Sequence, residues 1–229
     1  MVRPKEGVES QFFGREGDGE EIVVGGALLG LSEDAQLHDH DSTVPAMTAA
    51  TDALRRHLLE FSVRRGDFVL KSGARSSWFL DTKQTACRPE GILAIAEASL
   101  AMISPDVTAI GGLTMGADPV AFGIAAIAAA RGRDLRSFSV RKEAKDHGVL
   151  GRVAGALVRG DRVVITEDTV TRGTSVLEAA RVVREFGAEP VMILVIVDRG
   201  GTCAAMAKAE GIDFRALLSA PDLGFEYGT

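Results

Sequence analysis

Cysteine is scarce. The 229 residues hold two, Cys87 and Cys203, far apart and outside any CxxC spacing. This argues against a disulfide scaffold and against a zinc ribbon, and makes a reducing cytoplasm the expected setting. Long apolar runs are missing too. The longest candidates are VMILVIV, from Val191 to Val197, and the alanine-rich stretch after Pro119. Neither approaches the ~20 residues needed to cross a bilayer, so no membrane partner is expected. There is no excess of positive charge: 26 Lys and Arg face 32 Asp and Glu, a net −6. That argues against non-specific nucleic-acid binding as the chain's business, although a local basic patch stays open. The start, MVRPKEGVES, has no apolar stretch behind its basic residues and does not read as a secretory signal. No internal repeat is visible.

Hydrophobic residues make up 46% and charged residues 25%, the balance of a globular chain long enough to bury a substantial core. Residues 1–46 stand apart. They are acidic and glycine-rich, with GREGDGEE and SEDAQLHDHDS around one apolar island, IVVGGALLGL. No period persists there, so the stretch reads as a poorly ordered or non-native extension, with an edge strand from the island as the alternative. His38 and His40 form an HxH without a third ligand at sensible spacing, which reads as solvated tail. Met47 looks like a natural start.

From Thr48 the pattern becomes periodic. Thr48 is a candidate N-cap for a helix with Leu54, Leu58 and Phe61 on one face and His57 on the surface. FVLKSGARSSWFLDT suggests a hairpin. Pro89 opens a helix whose apolar face is read as Leu93, Ala96, Leu100 and Ile103. Strand and helix then alternate. VTAIGG, LRSFSV, RVVIT, VMILVIV and FRALLSA read as strands. The helices start at Pro119 behind an Asp118 cap, at SVLEAARVVREF with Gly187 as its stop, and at TCAAMAKAEG. Apolar strands separated by helices predict an α/β fold with a mostly parallel sheet covered on both faces. Ligands of such sheets sit beyond the carboxyl ends of the strands.

The most informative stretch is RVVITEDTVTRGTS. An apolar strand delivers Glu167 and Asp168, then Thr169 and Val170, then Thr171, Arg172, Gly173, Thr174 and Ser175 at the start of a helix. Hydroxyls and free amides at a helix N-terminus suit a phosphate. The two acids suit vicinal hydroxyls or Mg²⁺. The loop has no GKS or GKT ending and no GxGxxG, so it is neither a P-loop nor a dinucleotide turn. A second stretch, RKEAKDHG, places Arg141, Lys142, Lys145 and His147 together, with glycines after it. Such cations could close over a polyanion. On charge alone a solvated surface run is an equal reading, because Glu143 and Asp146 nearly balance them. Arg199, at the end of a strand, offers a fork matched to a carboxylate, or a local pair with Asp198.

The loop from Glu167 to Ser175 resembles the phosphoribosyl-pyrophosphate (PRPP) signature of type I phosphoribosyltransferases, and RKEAKDHG is similar to the catalytic loop of the orotate phosphoribosyltransferase family. The resemblance runs from Thr48 to the C-terminus. It implies the type I phosphoribosyltransferase fold: a central, mostly parallel sheet flanked by helices, with a small N-terminal hood. The implied domain is 47–229, with the hood over 66–88 and the core over 89–229. The implied reaction joins orotate to PRPP, giving orotidine 5′-monophosphate and pyrophosphate in pyrimidine biosynthesis. Lys145, the leading catalytic cation, and His147 would serve catalysis. Lys71, Arg141, Lys142, Lys145, His147 and the residues Glu167, Asp168, Thr169, Val170, Thr171, Arg172, Gly173, Thr174 and Ser175 would hold PRPP. Thr171 and Arg199, with Trp78 and Phe79 as an apolar wall, would hold orotate. For Trp78 plain core packing is an equal reading. Mg²⁺ would be bound through substrate without a dedicated protein cluster. The partners implied are these small molecules and a second copy of the chain in a homodimer with shared sites. GGLTMGADP would be the pyrophosphate loop, and Thr114-Met115-Gly116 stands where many members carry a lysine. Two other readings remain at this point: transfer to a different base, and a PRPP-sensing regulator that binds nucleic acid.

Overall fold

The computed structural model describes residues 48–69, 75–145 and 151–228. All belong to one unit, Pro45–Thr229. The extension 1–46, with His38 and His40, lies outside the described residues, as do Lys71, His147 and the side chain of Lys145.

Helix α1, Ala49–His57, begins where Thr48 accepts a hydrogen bond from the Thr51 amide, the expected cap. It runs into a π-helical turn, Leu58–Ser62. Leu54 and Leu58 are fully buried. His57 departs from its surface assignment. It is half-buried, its Nδ1 is 3.1 Å from Thr85 Oγ1, and its ring leans on Phe61. The hairpin forms as expected: β1, Val63–Val69, pairs antiparallel with β2, Arg75–Leu80. A short α2, Lys83–Ala86, leads to α3, Pro89–Leu100. The buried face of α3 is only in part the one read from the sequence: Ala96, and Ile103 just past the helix, are buried as expected. It is made by Gly91, Ala94, Ile95, Ala96, Ala98 and Ser99, and Leu93 is 45% exposed. An alanine-rich helix is weakly patterned, and here small residues allow close approach. A Cβ on Gly91 would overlap the Thr85 carbonyl.

The remaining elements build one sheet. They are β3 (Ala109–Leu113), α4 (Ala117–Ala130), β4 (Arg136–Lys145), β5 (Gly151–Gly155), β6 (Arg162–Val170), α5 (Thr174–Phe186), β7 (Glu189–Asp198), α6 (Cys203–Ala209) and β8 (Asp213–Ser219). The strand order is β5-β4-β3-β6-β7-β8, parallel except for β5. Two apolar clusters cover the two faces. Val164, Leu194 and Ile196 face one with Ile110 and Ile124; Val163, Ile165, Ile193 and Val195 face the other with Phe138 and Val183. Both faces are therefore dry, which is why these strands are apolar without alternation. Each such side chain contributes about 1.5–3 kcal/mol by burial. α4 starts at Ala117, earlier than expected. Asp118 lies in its first turn and accepts from Ser139 Oγ on β4, 2.7 Å away, rather than capping. α5 ends at a left-handed Gly187, as expected.

β3 is followed by β4 on one side, and β6 then returns to β3's other side. Connections thus diverge between β3 and β6, and the crevice beyond their carboxyl ends is the place a ligand fits. No described helix is long and apolar enough to cross a membrane.

Candidate active site

β6 continues past its apolar residues and carries Glu167 and Asp168 near its carboxyl end, each 8% exposed. The acids are therefore set by the ladder with β7, where Glu167 pairs with Val195. Across the crevice, the turn after β3 brings Gly116 against them. A Cβ there would overlap Glu167 Oε1 and approach Asp168 Oδ1 to 2.9 Å. Only a glycine lets that backbone lie on the carboxylates. Burial first, and the Asp168 charge second, push the Glu167 carboxyl up to about 8. Asp168 meets Lys83, whose Nζ donates to Oδ2 at 2.6 Å. Beside that pair, the hydroxyls of Thr82 and Thr169 share a 2.6 Å hydrogen bond.

After Val170 the chain turns through Thr171 and Arg172, both exposed, to Gly173 at φ 80°. The left-handed glycine begins α5 without a side-chain cap, so no capping side chain occupies its first-turn amides. A Cβ on Gly173 would press on Cys203 Sγ at 2.8 Å. The Cys203 thiol itself is buried, and burial holds its pKa up at about 11. α4 opens its own uncapped N-terminus at Gly116, on the far side of the acids. Two helix N-termini thus border one pair of carboxylates, an arrangement for a ligand with phosphates at both ends of a diol.

The Arg199 amide donates to the Val170 carbonyl at 2.8 Å, and Thr202 Oγ1 donates to the Thr171 carbonyl at 3.1 Å. Thr171 and Arg199 are thereby brought together. The Asp198 carboxylate accepts from the Gly200 and Gly201 amides, both at 2.9 Å, and shapes this turn. The Arg199 guanidinium lies over the Trp78 ring, 4.1 Å from its centroid, and Trp78 stacks on Phe225 at 4.1 Å and 3°. Burial lowers the pKa of Arg199 from its ordinary value.

No family model matches the chain. It is 42% identical to the orotate phosphoribosyltransferase of Tropheryma whipplei (strain Twist) over 173 residues, which is 74% of this chain and 80% of the relative. It superposes with a TM-score of 0.69 on a phosphoribosyltransferase from Corynebacterium diphtheriae, at 34% identity over 78% of this chain and 100% of that one. A Mycobacterium tuberculosis orotate phosphoribosyltransferase solved with PRPP matches with a TM-score of 0.65 and 32% identity, covering 77% of this chain and 99% of the other.

The chain belongs to the orotate phosphoribosyltransferase family.

As an orotate phosphoribosyltransferase it is a pentosyltransferase of pyrimidine biosynthesis on the type I fold. Several residues singled out in the sequence meet here: Glu167, Asp168, the turn from Thr169 to Ser175, and Arg199. Others are arranged differently from the expectation. Trp78 and Phe79 face opposite sides of β2, Trp78 fully buried and Phe79 41% exposed beside Phe68, so they do not form one wall. A strand alternates its side chains, and adjacent residues cannot share a face. The basic segment is not a loop in its first five residues. Arg141–Lys145 extend β4, and after an irregularity in the register Lys145 pairs with Gly151 of β5. Arg152 anchors this arm by donating to the Arg141 carbonyl and pairing with Glu178 of α5. Lys142 is exposed on it. Sequence reasoning missed Lys83, Thr82 and Phe225. Lys83 follows the aromatic pair in WFLDTK, and its position only three residues after a strand was the available signal. Phe225 had none.

Proposed function

We propose that the chain transfers the ribose 5-phosphate group of PRPP to orotate, releasing pyrophosphate and forming orotidine 5′-monophosphate. The observation that carries this reading is the meeting of the β6 acids, the open N-terminus of α5 and the buried Arg199 at one sheet edge. The 5-phosphate sits on the amides and hydroxyls of Thr171–Ser175. Glu167 and Asp168 accept from the ribose hydroxyls. Arg199 receives the ring carboxylate of orotate, which purines lack, with Thr171 beside it. The orotate nitrogen bonds to the anomeric carbon with inversion, as the C–O bond to pyrophosphate breaks and its electron pair leaves with the diphosphate, which takes up the proton the nitrogen releases.

Arg141, Lys142, Lys145 and His147 take up that departing charge, with Lys71 from the hood. In this reading they serve the neighbouring subunit of a homodimer. The unit responsible is 47–229, with a hood over 66–88, working in the cytoplasm. Mg²⁺ fits the donor set on substrate. Among the described residues no three His, Cys, Asp or Glu cluster together. The two carboxylates on offer suit a cation held mainly by phosphate and ribose oxygens. When bound, it neutralises diphosphate charge.

The test follows orotate absorbance with and without PRPP and Mg²⁺, for the full chain and for one beginning at Met47. Orotate should be consumed by both chains only when PRPP is present, and faster with Mg²⁺. Persistence of orotate with every component present would overturn the reading.

A further inference from the structure

The acids that face the crevice are not alone in it. Lys83, at the start of α2, reaches Asp168 Oδ2 at 2.6 Å, from a segment far away in sequence. Its side chain is 42% exposed, so the ammonium stands at the mouth of the crevice rather than in the core. Burial works against its charge, but the hydrogen bond and charge of Asp168 outweigh it and raise its pKa above the ordinary lysine value. The neighbouring Thr82–Thr169 hydrogen bond holds the base of this lysine against β6. On the other side of Asp168 lies Gly116, in a turn (Thr114, Met115, Gly116) that carries no cation of its own.

The stereochemistry of PRPP gives this placement a meaning. In an α-ribosyl diphosphate, the 1-diphosphate and the 2- and 3-hydroxyls project from one face of the ring. A carboxylate that accepts from those hydroxyls therefore lies under the same face as the leaving group, one ring carbon away. A lysine bonded to that carboxylate has two more donors on a flexible stem.

We propose that Lys83 is a diphosphate-binding residue of this enzyme. It bridges Asp168 to the leaving group of PRPP and supplies the cation that the 114–116 turn lacks. In the free chain it neutralises Asp168. With substrate bound, it keeps one hydrogen bond to Asp168 and gives the others to diphosphate oxygens, whose charge grows as the C–O bond breaks. This rests on the reading of Asp168 as a ribose-binding acid.

The experiment compares two ligands in the presence of Mg²⁺, PRPP and ribose 5-phosphate, which lacks the diphosphate. Each is titrated calorimetrically into the wild type, Lys83→Met, Lys83→Gln, Lys83→Arg and Asp168→Asn, with thermal melting to confirm folding. Loss of a hydrogen bond to a charged group predicts that the Met and Gln variants bind PRPP about 10- to 100-fold more weakly. Ribose 5-phosphate affinity should stay within about twofold of the wild type, and Arg should restore most of the PRPP affinity. Equal weakening of both ligands would reduce Lys83 to a support for Asp168, and unchanged PRPP binding would remove it from the site. Either result overturns the proposal. Asp168→Asn should weaken both ligands. If it weakens neither, the ribose reading falls, while the role of Lys83 is still decided by the difference between the two ligands.

Discussion

Arg199 lies over Trp78, its guanidinium carbon 4.1 Å from the ring centroid. The contact holds the fork in place before any ligand arrives, so less freedom is lost on binding a carboxylate. Arg199→Lys keeps the charge and loses both the stack and the fork. It should raise the KM for orotate about 10- to 100-fold and leave the KM for PRPP within about twofold. Steady-state kinetics with each substrate varied in turn checks this. An unchanged orotate KM would remove Arg199 from base recognition.

Glu167 predicts a pH signature. Its ordinary value is 4.5, and in the fold burial, then the Asp168 charge, push it to about 8. Between those values the unfolded chain releases a proton that the native chain still holds. Stability therefore falls as pH rises through that window and levels off above it. Glu167→Gln removes the titration. The variant should match the wild type at the acid end and exceed it at the alkaline end, by on the order of several kcal/mol. Urea midpoints across the window measure the gap, and a gap independent of pH would contradict the assignment.

Gly116→Ala addresses the crevice directly. The new methyl must displace Glu167 Oε1 and crowd Asp168 Oδ1. PRPP affinity should fall about tenfold or more, because both carboxylates are turned from their places. Calorimetric titration reads the loss. Wild-type affinity would show that the acids have room to move.

Lys145→Ala should cut turnover about 10²-fold or more while circular dichroism and melting stay unchanged, since in the proposed mechanism it meets charge that develops in the transition state. A near-normal rate would take Lys145 out of the mechanism.

The sheet was legible in the sequence because its strands are buried on both faces. Val163 to Ile165 and Val191 to Val197 are apolar throughout, and the helices between them carry clear stops such as Gly187. The β6–α5 turn was legible for a related reason. Acids at the end of an apolar strand, followed by hydroxyls and a glycine, are costly to place anywhere but at a ligand edge. Two things were hidden. One was the continuation of β4 through Arg141–Lys145, where charged residues mask a strand whose partner, β5, is antiparallel and short. The other was long-range pairing. The contacts of Lys83 with Asp168 and of Phe225 with Trp78 join segments more than 80 residues apart. Local pattern contains no information about which distant segment will meet which.

The chain has one tryptophan, and it is the ring clasped between Arg199 and Phe225. Its emission is thus a native optical probe of a single place in the molecule. Occupancy at the arginine can be followed by eye of a fluorimeter, free of any attached dye and undiluted by signal from other indoles.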